Sequence, residues 1–158
     1  MHGPTPASIP GGQVLTTQGL VAMMQSRQQP YLLFDVLGGP ETIPGSMPAA
    51  WAASGGRLDD PVQQKLGEYL RQGTRGSRDV RLVFYCQSVQ CWMSYNASLR
   101  AIRLGYPNVL WYRGGIEAWK AAGLPAQPAS SGNPGNPGGV QRPLSYPEPG
   151  PPRSTGRP

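Results

Sequence analysis

Apolar residues fall into two patterns along this chain. Three short runs are almost continuously apolar: "YLLFDV" at 31–36, "VRLVFYC" at 80–86 and "NVLWY" at 108–112. Runs of that length read as strands buried on both faces, as in a parallel sheet. Elsewhere the apolar positions recur at helical spacing. "TTQGLVAMMQSR" places Leu20, Met23 and Met24 on one face, with Thr17 as cap. "DDPVQQKLGEYLRQG" offers Asp60 as cap and Pro61 at the first helical position. Its face is Val62, Leu66, Tyr69 and Leu70, and Gly73 is its stop. "WMSYNASLRAIRLG" predicts a helix from Trp92 to about Leu104, stopped by Gly105. "GGIEAWKAAG" is a short helix with Ile116 and Trp119 inward and Gly123 as stop, and "LGGPETIPGSMP" is a turn-rich loop. Strands alternating with helices predict an α/β fold with a central, mostly parallel sheet flanked by helices. Sites in such sheets form outside the carboxyl ends of strands, and Cys86 stands at one.

Composition narrows the folded part. From residue 127 to 158 the chain is dominated by Pro, Gly and Ser with almost no aliphatic residues. Such a segment cannot bury enough apolar surface to offset its ordering entropy, so a disordered tail is expected. Residues 1–12, "MHGPTPASIPGG", have a similar character and read as an extended arm. The expected domain is therefore 13–126. The net charge of +6 is spread out, with Arg71, Arg75, Arg78 and Arg81 the densest group and no aromatic residues interleaved. That argues for a solvated surface and against nucleic acid as partner. No stretch is long and apolar enough to span a membrane, and the start lacks the basic and apolar regions of a signal peptide.

His2 is the single histidine and lies in the arm. A Cys–His or Ser–His–Asp catalytic arrangement in the domain is thereby excluded. Two cysteines without a domain histidine also make a poor zinc site, so no metal and no cofactor are expected. The remaining chemistry is in "CQSVQCW", 86–92. Cys86 ends a strand and Cys91 precedes a helix. The first amides of a helix lack intrahelical partners, and with the helix dipole they favour negative charge. A thiolate there has a depressed pKa and is nucleophilic. Cys86 is the candidate nucleophile and Cys91 a candidate resolving thiol. On spacing alone, a disulfide and two buried thiols remain open alternatives. Ser88 and Ser94 are candidate donors to a bound anion, or simply helix-start residues. Asp35 is an auxiliary candidate as a cap or hydrogen-bonding group at the site entrance, with a catalytic acid as the lesser alternative, and Arg113 is a candidate anion contact. Trp92, Trp111 and Trp119 follow the strand and helix patterns and read as core.

Several segments together resemble the rhodanese family. "LLFDV" followed by "ETIPGSMPA" resembles its strand ending in Asp and its Ile-Pro-Gly turn. "VLWYRGGIEAWKAAGLPA" resembles its closing strand, Gly-Gly turn and last helix, and "LVFYC" aligns with its active-site strand. "FYCQSVQCWMSYNA" further resembles a secreted bacterial subgroup with a second Cys-Trp, associated with pyrroloquinoline-quinone-dependent alcohol catabolism.

The resemblance implies a rhodanese-like sulfurtransferase carrying sulfur as a persulfide on Cys86. The amides of Gln87, Ser88, Val89, Gln90, Cys91 and Trp92 would cradle that sulfur as the substrate-binding loop. The implied partners are a small sulfur donor, such as thiosulfate, and a thiol or cyanide acceptor, with a protein partner in quinone-dependent alcohol oxidation. The implied location is the periplasm. The alternatives are a thiol–disulfide protein using Cys86 and Cys91, and a catalytically silent accessory domain. Three departures bear on substrate. Leu37 stands where many active members carry Arg, Thr42 replaces the His before Ile-Pro-Gly, and Cys91 occupies a position often held by Arg or Lys. Trp92 stands where phosphatase relatives close a Cys-x5-Arg loop, which excludes phosphate chemistry of that type.

Overall fold

The computed structural model describes residues 4–26, 29–54 and 59–129. Of the expected tail, everything past 129 lies outside the described residues. In chain order the elements are β1 (Gln13–Val14), α1 (Thr17–Ser26), β2 (Tyr31–Asp35), β3 (Glu41–Thr42) and β4 (Met47–Pro48). A 3-10 turn (Ala50–Ala53) leads to α2 (Pro61–Thr74), β5 (Arg81–Tyr85), α3 (Met93–Arg103), β6 (Val109–Tyr112), α4 (Gly115–Ala121) and β7 (Gln127–Pro128). Five strands form one sheet in the order β1-β6-β5-β2-β4, every neighbouring pair parallel. β3 and β7 make a separate antiparallel pair. The expected α/β architecture is present, and all three apolar runs are central strands.

Alternation along those runs builds two cores. Leu32 and Phe34 of β2, Leu82 and Phe84 of β5, and Cys86 just beyond it face the side covered by α2, α3 and the 3-10 turn. Tyr31 and Leu33, Val83 and Tyr85, and Leu110 and Tyr112 face α1 and α4 through Leu20, Met23, Ile116 and Trp119. Successive strand residues point to opposite faces, so burial on both sides requires an unbroken apolar run. Phe34 stacks on Phe84 at 5.0 Å, closing the centre of the first face.

Two helix boundaries differ from expectation. Thr17 is the first helical residue rather than the cap: Gly19 N donates to Thr16 Oγ1 at 3.0 Å, while the Thr17 hydroxyl bonds Tyr112 OH at 2.6 Å. α2 runs through Gly73 to Thr74 and stops at Arg75, which is left-handed at φ 58°. A Cβ on Gly73 would come within 3.0 Å of Leu32 Cδ1, so this glycine serves close packing of α2 on the sheet.

Asp60 caps α2 as expected, accepting from Gln63 N at 3.0 Å. It also receives Arg100 Nη1 of α3 at 2.8 Å. Arg100 is 1% exposed and further donates to Gln63 Oε1 and the Ser54 carbonyl. One cation thus ties α3 to the start of α2 and the end of the 3-10 turn. The hydrogen bond from Arg100 is the main reason the Asp60 carboxyl is held below its usual 3.8, against the opposing effect of burial. A carboxylate with a lowered folded pKa stabilises above the unfolded value and loses that contribution as pH falls through the folded one. Asp60→Asn keeps the cap but removes the charge. It should lower the urea midpoint at pH 7, with the gap from wild type closing as pH is taken below about 4.

Candidate functional site at the end of the central strand

Cys86 follows β5, the middle strand, at the carboxyl edge of the sheet. Its backbone has left the ladder, so its carbonyl needs a new partner. The start of α4 supplies it: Ile116 N donates to Cys86 O and Glu117 N to Gln87 O, both at 3.0 Å. Gly115 permits this approach. It sits at φ 67°, and a Cβ there would lie 2.6 Å from both carbonyl oxygens. Gln87 Nε2 adds a bond to Glu117 Oε2 at 3.3 Å.

The loop then folds on Ser88. Cys91 N donates to Ser88 O at 3.0 Å, and Gln90 N to Ser88 Oγ at 3.2 Å. Two of the amides expected to cradle sulfur are therefore committed within the loop. The turn carries Cys91 back over the strand end, and Cys86 and Cys91 are joined by a disulfide with Cα atoms 6.2 Å apart. That separation lies within the normal disulfide range. The bond settles the alternatives open on spacing. Cys86 is 1% exposed, while Cys91 is only partly buried. Met93, which has no signal in the sequence pattern, brings its Sδ to 3.9 Å from Cys86 Sγ.

The first turn of α3 is fixed by aromatic packing. Trp92 is the residue before the helix, and its ring meets Tyr95 edge-on at 5.3 Å. Tyr95 in turn meets Trp111 at 5.1 Å. Trp111 Nε1 donates to Ser94 Oγ at 2.9 Å, which assigns the buried Ser94 to holding α3 on β6.

The amino-terminal segment meets this loop at Thr5. Thr5 donates from both its amide and its hydroxyl to Val89 O, at 2.9 and 2.6 Å. Arg113 Nε and Nη2 donate to Thr5 Oγ1 and O, at 3.0 and 2.8 Å. Arg113 does lie near the cysteine edge, but these two nitrogens hold the chain's own Thr5. Val89 itself is 39% exposed at the loop tip.

Asp35 anchors the other side of the edge. Its Oδ1 accepts from Leu37 N and Gly38 N at 2.8 and 3.1 Å, and its Oδ2 from the Thr42 hydroxyl at 2.6 Å. Thr42, Ser46 and the amide of Ile43 gather around Tyr85 OH. Burial, and secondarily the charge of Asp35, push the Tyr85 phenol far above its usual range, so it stays neutral. The residue before Cys86 is thereby locked to the Ile-Pro-Gly turn. Among the described residues no cluster of three His, Cys, Asp or Glu side chains is placed to hold a metal, and no helix is long and apolar enough to cross a membrane. The open groove of about 480 Å³ lined by Gln13, Met23, Arg81 and Asn108 lies at the amino ends of β5 and β6, away from the cysteines.

Comparison with known proteins agrees with this geometry. Residues 16–122 match the rhodanese-like domain. No curated protein matches the chain. Among solved structures, a Saccharomyces cerevisiae protein described as a homolog of single-domain rhodanese and the Cdc25 phosphatase catalytic domain is 22% identical. It superposes with a TM-score of 0.55 over 72% of this chain and 83% of its own. A Lactobacillus plantarum protein is 19% identical, with a TM-score of 0.52 over 72% and 87%. A rhodanese-like domain from Anabaena is 17% identical, with a TM-score of 0.51 over 77% and 83%. At these identities the likeness is one of fold.

The seating of α4 on the cysteine loop is testable. Gly115→Ala adds both a left-handed alanine and a backbone clash, so it should cost about 2 kcal/mol or more in urea unfolding. Gly45 is also left-handed, at φ 88°, but has open space around its Cβ position. Gly45→Ala should therefore cost only about 1 kcal/mol. Equal costs would mean that contact with the loop carbonyls is unimportant.

Proposed function

This chain belongs to the rhodanese-like domain family, and from that premise we propose that it is a sulfurtransferase whose nucleophile, Cys86, is released by reducing the Cys86–Cys91 bond. The observation that carries this reading is the position of Cys86. It ends the central strand, on a backbone fixed by α4, at the edge where open parallel sheets place their sites. In the disulfide Cys86 is neither free nor accessible. A thiol reductant meets the partly exposed Cys91 first. Once the bond opens, the Cys86 thiolate attacks the outer sulfur of a donor, carrying it as a persulfide.

The donor follows from charge. The loop from 86 to 92 contains no Lys or Arg, and Arg113 holds Thr5 with Nε and Nη2. Thiosulfate brings two negative charges on the group that enters the loop and gains little from it, whereas a persulfide brings one charge there and needs less compensation. The acceptor is a thiol or cyanide. The disulfide suits an oxidising compartment, which favours the periplasm and the secreted Cys-Trp subgroup, with a partner in quinone-dependent alcohol oxidation. The same disulfide favours a second reading, a thiol–disulfide protein that takes up no sulfur.

Two results distinguish these readings. With reduced protein, Cys86→Ser should bring sulfur transfer to cyanide down to the uncatalysed level. Among donors, kcat/KM should favour glutathione persulfide over thiosulfate by at least about tenfold. Rapid disulfide exchange with neither thiocyanate nor sulfide formed from either donor would select the second reading.

A further inference from the structure

The disulfide that covers Cys86 has the same atoms as the product of a second reaction. We propose that Cys91 resolves the Cys86 persulfide within the chain, so that the domain reduces sulfane sulfur to sulfide; this rests on the sulfurtransferase reading above. In the first step the Cys86 thiolate attacks the outer sulfur of a persulfide R–S–SH. A bond forms from Cys86 Sγ to that sulfur, the donor's S–S bond breaks, and the thiolate RS⁻ leaves with the electron pair. In the second step the Cys91 thiolate attacks Cys86 Sγ. The Cys86–Cys91 bond forms, the bond to the outer sulfur breaks, and HS⁻ leaves with that pair. In sum, two cysteine thiols and R–S–SH give the disulfide, RSH and H₂S. The cysteines lose two electrons and the sulfane sulfur gains them. A dithiol reductant restores both thiols for the next turnover.

Three features make the internal attack faster than transfer to an outside acceptor. The Cα atoms stand 6.2 Å apart in the product, so bond formation requires no change in the path of the chain. The loop is held in that shape by the Ser88 turn and by Thr5 on Val89, which gives Cys91 a high effective concentration at Cys86. Access also differs. Cys86 is 1% exposed beneath the loop, Met93 adjoins its sulfur, and Cys91 is the partly exposed member of the pair. An outside thiol reaches Cys91 more readily than the sulfur on Cys86, so it serves better as reductant of the disulfide than as sulfur acceptor.

The test is a single turnover without oxygen. Reduced full-length protein, freed of reductant, is mixed with one equivalent of glutathione persulfide, then followed by sulfide release and intact mass. The wild type should release one sulfide per chain and end lighter by two hydrogens. Cys91→Ser should instead gain one sulfur atom, with sulfide release slowed by at least about tenfold, and Cys91→Ala should repeat this if the serine chain folds poorly. A wild type that keeps the added sulfur as stably as Cys91→Ser would overturn internal resolution and leave the sulfurtransferase reading standing. Failure of wild type, Cys91→Ser and Cys91→Ala alike to take up or release sulfur would overturn both.

Discussion

Two hydrogen bonds hold the candidate site in place. Beyond Tyr85 the central strand has no neighbour to pair with, and a buried carbonyl left without a donor is costly. The chain meets this requirement with the amides of Ile116 and Glu117, which pin Cys86 and Gln87 from below. They reach that position because residue 115 is a glycine in a left-handed conformation with no side chain to strike the loop. With the base fixed, the six residues from Cys86 to Cys91 have few ways to close. The turn at Ser88, held from outside by Thr5, selects the one that brings the two sulfurs together.

The surroundings of this loop define its chemistry by what they contain. Asp35 and Tyr85 are spent on backbone and hydroxyl groups of the Ile-Pro-Gly turn, and Arg113 holds the amino-terminal segment. Cys86 is left with a methionine sulfur, a second cysteine and the backbone of its own loop. In the proposed sulfurtransferase reading, the chemistry depends on thiolate reactivity and on which sulfur is reachable, not on a charged side chain gripping the substrate. On that reading the disulfide serves both as cover and as control, since the nucleophile exists only when a reductant has opened it.

Much of this was legible in the residues. The runs at 31–36, 80–86 and 108–112 had to be central strands because both of their faces are apolar, and Cys86 had to fall at a carboxyl end. Asp35 was expected as a hydrogen-bonding group at the edge and is one. What was not legible depends on contacts between distant segments. Thr5 lies among Pro and Gly with no periodicity, so nothing local showed that it would grip Val89. β1, β3, β4 and β7 are two residues each, too short for a pattern, and form only because a neighbouring backbone is present. A spacing of five between cysteines left the disulfide open, because loop shape rather than spacing decides the Cα separation. Gly73 was read as a helix stop when its real constraint is the side chain of Leu32.

In the proposed reading this domain handles sulfur only through a Cys86 thiolate exposed by reduction. The most direct measurement is consumption of glutathione persulfide by the purified protein in its oxidised form, then after reduction and removal of the reductant. The oxidised chain should consume none and the reduced chain one equivalent. Equal consumption by both forms, or none by either, would contradict it.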